Sequence, residues 1–126
     1  IDGHWQRTDQ STTSAVLGDG GIYSSIDDLA RWDAALYDER LLRRASLQQA
    51  FSAATATPEP DVPHYGFGWR INGDALWHSG ESIGFRNVIV RYPKQKLTVV
   101  VLSNRNDPEP YALALQIARR WQEPGQ

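Results

Sequence analysis

Apolar residues recur along this chain at two spacings, and the change between them divides it. From Ser25 to Tyr37 the period is helical: Ile26, Leu29, Ala30, Leu36 and Tyr37 fall near one face, with Trp32 at its border. Ser25 suits an N-cap, and Asp28 three residues on completes a box-like arrangement. Asp27 and Asp28 favour the positive end of the helix dipole, and Asp27 is placed to pair with Arg31 one turn later. The pattern predicts a helix over Ile26–Tyr37. It predicts a second, shorter one over Arg44–Ala53, where Leu47 and Phe51 lie one turn apart. Thr55–Pro63 carries prolines at 58, 60 and 63, which stop both helix and strand, and reads as a loop.

From Tyr65 the period becomes two. Tyr65, Phe67, Trp69 and Ile71 point one way, and Gly66 and Gly68 point the other, where a neighbouring segment can approach the backbone. Asn72-Gly73 is a hairpin signal that predicts a type I′ turn. A two-residue turn there sets Ile71 against Asp74, Trp69 against Leu76, Gly68 against Trp77 and Phe67 against His78, so that Trp77 covers a glycine. Gly84-Phe85 opens the next strand, in which Val88, Val90 and Tyr92 share a face and Ile89 lies opposite. Leu97–Ser103 is apolar on both faces apart from Thr98, which predicts a central strand with helices above and below. Asp107 as N-cap and Pro108 at the first helical position open a last helix. Its stripe is Tyr111, Ala114, Leu115, Ala118 and Trp121, with Arg119 and Arg120 near its C-terminus. The fold class expected is α+β: an antiparallel meander of four strands flanked by helices.

The remaining segments change this picture little. Ile1–Leu17 is polar and reads as a lead-in. Gly18-Asp-Gly-Gly21 reads as a tight turn, because no Gly-Lys-Ser/Thr follows to make a phosphate cradle. With 126 residues, one domain is the default. A net charge of −2 excludes the basic face that nonspecific nucleic-acid binding needs. The lack of cysteine removes disulfides and thiolate chemistry. No apolar run approaches the roughly 18 residues of a membrane span. The start, Ile1-Asp-Gly-His-Trp5, has no Met and no signal-peptide pattern, and the expectation is a chain processed or cut from something longer.

Candidate chemistry concentrates at His78-Ser79-Gly80. Adjacent residues on a strand face opposite ways, so His78 and Ser79 cannot by themselves form a nucleophile–base pair. His4 and His64 are expected in loops and lack metal-ligand spacing, and no metal or cofactor is expected.

The wider pattern resembles the serine β-lactamase-like family, which includes class C β-lactamases, D-alanyl-peptidases and related esterases. Gly18-Asp-Gly-Gly-Ile-Tyr-Ser-Ser-Ile-Asp-Asp-Leu-Ala-Arg-Trp32 is similar to a stretch common in that family. Tyr65-Gly-Phe-Gly-Trp69 resembles the strand before its third active-site motif. His78-Ser79-Gly80 followed by Gly84-Phe85 resembles that motif, often Lys-Thr-Gly, and its exit. Leu97–Asn104 and the final helix resemble the last strand and the C-terminal helix. The likeness runs from Gly18 to Trp121.

The resemblance implies an active-site edge strand. His78 would offer a polar or cationic group, and Ser79 a hydrogen bond to a substrate carboxylate or carbonyl. Gly80 would keep the wall low, and the Glu81 N–H would act as one oxyanion-hole donor. Trp77, Ser82, Gly84 and Phe85 flank these as candidate substrate-binding residues. The family's Ser-x-x-Lys nucleophile is not found: the lysines are Lys94 and Lys96, and Arg91 and Pro93 stand three residues before them. Tyr23-Ser-Ser and Tyr65-Gly-Phe are not Tyr-x-Asn. Both motifs, and the first two strands of the family sheet, would lie upstream.

The expectation is therefore that residues 1–126 form a single partial domain, the C-terminal segment of a serine hydrolase acting on β-lactams, D-alanyl peptides or small esters. Alone it is expected to be inactive. Its Leu97–Ser103 strand, without its family neighbour, is expected to self-associate through an open edge. The resemblance also implies a periplasmic or extracellular location. The alternative is a non-catalytic module that binds a peptide or sugar on the aromatic face of Tyr65, Phe67, Trp69 and Trp77.

Overall fold

In the computed structural model, which describes Gly3 and residues 20–82, 84–105 and 107–123, six strands form one antiparallel sheet in chain order. The strands are β1 (Thr55–Ala56), β2 (His64–Tyr65), β3 (Arg70–Asn72), β4 (Ala75–Ser82), β5 (Phe85–Tyr92) and β6 (Leu97–Ser103). Three helices accompany them: α1 (Ile26–Ala35), α2 (Arg44–Ala50) and α3 (Pro110–Gln122). The α+β expectation holds. The predicted lead-in apart from Gly3, and with it His4, lies outside the described residues, as do Gly18 and Asp19. Gly21, the end of the glycine turn, has φ +78°.

Local chemistry sets the helix ends. The Ser25 hydroxyl accepts from the Asp28 N–H at 3.2 Å and caps α1 as expected. The ion pair is Asp28–Arg31 at 2.7 Å, one residue closer than the predicted Asp27–Arg31. α1 stops at Ala35 instead of Tyr37 because the chain tightens: Leu36 N–H bonds the Asp33 carbonyl and Tyr37 N–H bonds that of Ala34. α2 stops at Ala50 instead of Ala53, where the Ala50 carbonyl accepts from the Phe67 N–H at 3.0 Å. α3 starts two residues beyond the predicted site. Glu109 is its N-cap and accepts from the Ala112 N–H at 2.9 Å, and Pro110 takes the first helical position.

Four sheet expectations need correction. The predicted strand from Tyr65 to Ile71 is two strands, because residues 66–69 turn the chain back on itself. Gly66 N–H bonds the Trp69 carbonyl at 2.8 Å, and Gly68 has φ +76°, which a glycine adopts without strain. The hairpin loop is Gly73-Asp74, with Gly73 at φ +57°, so the register moves by two: Ile71 faces Leu76 and Arg70 faces Trp77. Thr55–Ala56, read as loop, pairs with His64–Tyr65 across the proline-rich segment, which also puts His64 in a strand. β6, read from its apolarity as central, is the sheet edge, as expected of it without its family neighbour, and among the described residues it pairs only with β5. Its two apolar faces answer helices on both sides, α3 on one and α1 on the other, and not two flanking strands.

Alternation along β4 and β5 splits the core into two layers. Trp77, Val88, Val90 and Val99 meet α3 through Ala114 and Ala118, both fully buried, whose small side chains let the helix sit close to the sheet. Ile71, Leu76 and Trp69 meet Leu36 and Leu47 on the other face. The predicted α3 stripe holds except at its last turn. Trp121 is 79% exposed, standing over an open cleft with Tyr92 and Leu97 where the sheet gives out. In the second layer Arg91 is completely buried. Its Nε donates to Asp33 of α1, and its guanidinium faces the rings of Tyr37, Phe51 and Trp69. Among the described residues no helix is long and apolar enough to cross a membrane.

Candidate functional site

The turn at residues 66–69 shapes the site as well as the fold. Because β3 begins only at Arg70, it pairs with β4 from Ala75 to Trp77 and no further. From His78 to Ser82, β4 is paired, among the described residues, only on its β5 side, where Ser79 faces Val88 and Gly80 faces Asn87. Among the described residues its other edge is open over this stretch, and a strand edge with free N–H and C=O groups is a template for an extended ligand. Gly80 lies on that edge, and a Cβ built there would meet nothing within 4 Å. Nothing in the packing asks for a glycine at this position.

The open edge is flanked by two polar contacts. On one side, Arg70 Nη1 donates to Ser79 Oγ at 2.7 Å, and its guanidinium carbon lies 4.7 Å from the centre of the Trp77 ring. With one acceptor position taken by Arg70, the Ser79 hydroxyl keeps its proton for another acceptor. On the other side, the Tyr65 hydroxyl lies 3.1 Å from His78 Nε2. His78 therefore neighbours Tyr65 and not Phe67, as the shifted register requires. Its pKa is pushed below the ordinary 6.5, first by burial, then by the charge of Arg70, against a hydrogen bond to the Ser79 backbone. Among the described residues no hydrogen bond joins the His78 ring to the Ser79 hydroxyl, in keeping with their alternation.

The other predicted residues fall in different places. Trp77 is only 7% exposed and lies between Arg70 and the Tyr111 ring, which stacks on it at 3.9 Å with planes 18° apart. Its ring is committed to packing and supports the wall from behind. Burial also raises the pKa of Tyr111 above its usual 10.0. The exposed Glu81 carboxylate takes Arg86 Nε and Nη2 at 3.0 and 2.9 Å across the β4–β5 pair. Ser82 is exposed and faces Phe85 at the end of the hairpin. Gly84, at φ +81°, occupies its turn, and Phe85 remains 53% exposed at the rim. A cleft of about 270 Å³ runs beside Ser79, Gly80 and Glu81 toward Glu109 and Pro110.

Sequence reasoning missed Arg70. The signal was present in the hairpin: with the loop at Gly73-Asp74, Arg70 stands opposite Trp77 and on the same face as Ser79. The aromatic face proposed as an alternative binding surface does not form one surface. Trp69 is buried, stacked on Trp32 at 5.8 Å with Phe51 against its edge, and Trp77 is buried in the other layer. Of the four residues only Phe67, at 61%, is well exposed.

These elements can recognise a carbonyl or carboxylate by a hydroxyl donor and a fixed cation, beside an extended chain laid along a strand edge. They do not include a nucleophile with its base. A penicillin-binding protein of Bacillus subtilis (strain 168) is 32% identical over 105 residues, which is 79% of this chain but 23% of that protein. Protein flp of Staphylococcus aureus (strain NCTC 8325 / PS 47) is 31% identical over 88 residues, 68% of this chain and 18% of its own length. The chain thus spans about a quarter or less of the curated relatives it matches. A family model described as Beta-lactamase matches residues 2–120, nearly the whole length, and on that extent the chain belongs to the beta-lactamase family.

Proposed function

We propose that this chain forms one wall of the acyl-transfer site of a serine hydrolase, with His78-Ser79-Gly80 as its third motif. The observation that carries the reading is the open edge of β4 from His78 to Ser82, flanked by the Arg70–Ser79 pair. On this reading the substrate lies along that edge. Ser79 donates its proton to a substrate carbonyl or carboxylate, and Arg70 supplies the permanent positive charge beside it. The Glu81 N–H serves as one oxyanion donor, fixed in the strand so that it stabilises developing negative charge without reorganising. Phe85, with Ser82 and Gly84, borders the rim, and Trp77 stiffens the wall. The nucleophilic serine and its lysine come from another part of the same polypeptide, as does the strand that would cover the free edge of β6. Residues 1–126 are then a partial domain, and no turnover is expected from them alone.

A titration of the ¹⁵N-labelled chain with acetyl-D-alanyl-D-alanine tests the reading. Amide shifts confined to His78–Phe85, weakened in Arg70→Gln and without turnover, support it. Shifts elsewhere, or hydrolysis of ester or β-lactam by the pure chain, would overturn it.

A further inference from the structure

We infer that Trp77 and Tyr111 are positioning residues of this wall: their stacked rings hold the Arg70 guanidinium beside Ser79. The functional meaning of the stack rests on the wall reading; its geometry does not. Arg70 faces Trp77 across β3 and β4, so Ser79, two residues further along β4, is its diagonal neighbour. Arg70 is also the first residue of β3. To reach Ser79 its side chain must extend past the end of its own strand, into the stretch where β4 is open. β3 offers nothing there to guide it. The indole of Trp77 does: the guanidinium carbon lies 4.7 Å from the ring centre while Nη1 meets Ser79 Oγ at 2.7 Å. No carboxylate shares the task. Among the described residues Arg70 forms no ion pair, and Glu81, on the same face of β4, is engaged by Arg86. The cation is held without being neutralised, and its other N–H donors remain for a ligand.

The indole needs a support of its own. Trp77 Nε1 is buried and has no hydrogen-bond partner among the described residues, so no polar contact sets the angle of the ring. Packing sets it. The Tyr111 ring covers it at 3.9 Å with planes 18° apart, and Val88 and Val90 lie in the same core cluster. Tyr111 is in turn placed by α3. It follows Pro110 at the first helical position, beside the Glu109 cap, and the helix is seated on the sheet through Ala114 and Ala118. Among the described residues no hydrogen bond engages the Tyr111 hydroxyl, so its ring and not its oxygen carries the role. The seat of α3 is thus passed through a phenol and an indole to the cation at Ser79. Fixing a flexible arginine before a ligand arrives removes part of the ordering cost of binding.

The test is the guanidinium spectrum of the ¹⁵N-arginine-labelled chain, with the exposed Arg119 and Arg120 as internal references and Arg70→Lys to assign the Arg70 signals. Protons held over an indole face are shifted by its ring current, so the Arg70 signals should lie upfield of both references. Ser79→Ala removes the hydrogen bond and leaves the rings, and the upfield displacement should persist. Tyr111→Phe keeps the ring and should change nothing. Tyr111→Leu keeps Trp77 but removes its support, and should move the Arg70 signals toward the reference pattern. A wild-type Arg70 that matches Arg119 and Arg120 overturns the inference. So does loss of the displacement in Ser79→Ala, which would make the serine the holder. So does a folded Tyr111→Leu with the wild-type pattern. Should that variant unfold, Tyr111→Met, unbranched and longer, is read by the same criterion. No ligand or turnover is needed, so failure of the hydrolase reading and failure of the stack are seen separately.

Discussion

Removing the carboxylate of Asp33 should be the most damaging single change in the α1 layer. Arg91 is fully buried, and its side chain is 1% exposed against 15% for Asp33. One oxygen of Asp33 accepts from both Arg91 Nε and, at 2.9 Å, the Thr98 hydroxyl. The two outer nitrogens of Arg91 have no hydrogen-bond partner among the described residues; they face aromatic rings whose centres lie 5.0 to 5.5 Å from the guanidinium carbon. Asp33→Ala leaves a buried cation held by ring faces alone. Breaking a buried pair from one side costs about 3–5 kcal/mol, against a total stability of roughly 5–15 kcal/mol for a domain. With a urea slope of about 2 kcal/mol per molar, the midpoint of unfolding should fall by about 2 M. Arg31→Ala, which opens a pair that is 77% and 62% exposed, should change stability by less than about 1 kcal/mol. Adding Arg91→Met to Asp33→Ala should recover much of the loss, because an apolar side chain of similar volume leaves no charge to solvate. An Asp33→Ala midpoint within about 0.5 M of wild type would show that the ring faces alone hold the buried cation and that the Asp33 pair contributes little.

Four further outcomes are expected. Gly66→Ala should destabilise by about 1–3 kcal/mol in urea unfolding, because a Cβ there would lie 2.3 Å from the Ala50 carbonyl oxygen; an unchanged midpoint would contradict the close approach. Gly80→Ala should keep the wild-type midpoint, since its Cβ meets nothing within 4 Å, yet weaken ligand-induced shifts along β4; full ligand response would remove the role given to this glycine. His78 has a folded pKa below its unfolded 6.5, so the unfolded chain binds more protons between the two values. Its contribution is complete above about pH 6.5 and is lost as pH falls through the folded value; a His78→Gln chain with the same acid dependence as wild type would rule this out. Finally, the free edge of β6 should make the chain associate in sedimentation, and Val100→Lys should reduce that association; a clean monomer at high concentration would count against an active edge.

Much of the fold was legible because its signals were local. The Ser25 cap with its acidic first turn fixed the start of α1. The pairing of Val88, Val90 and Tyr92 against Ile89 fixed the faces of β5, and the alanine pair of α3 showed the side that meets the sheet. What was missed depended on contacts distant in sequence. Tyr65-Gly-Phe-Gly-Trp69 alternates as a strand does, but the Ala50 carbonyl captures the Phe67 N–H and the glycines allow the chain to turn. The turn displaced the hairpin register, and with it Arg70 from view. β6 read as central because apolarity on two faces says that helices lie above and below, and says nothing about strands on either side. Arg91 sits among apolar residues in a β-strand pattern, and only its partner 58 residues away reveals why it can be buried.

At the candidate site the sequence indicated that His78-Ser79-Gly80 lies on a strand that follows a hairpin turn, and β4 is that strand. It could not show that β4 outruns β3, which is what opens the edge, nor that Trp77 lies between Arg70 and Tyr111 instead of facing a ligand. Both follow from where β3 begins, and that is decided by the turn at residues 66–69.

If this chain is one wall of a larger catalytic site, the native gene product is longer than these 126 residues, and its intact mass is the measurement to make. The expected mass is far above the 14.2 kDa of these 126 residues, with a Ser-x-x-Lys sequence in the additional part. A native product of 14.2 kDa would contradict it and leave His78-Ser79-Gly80 as a binding edge without a nucleophile.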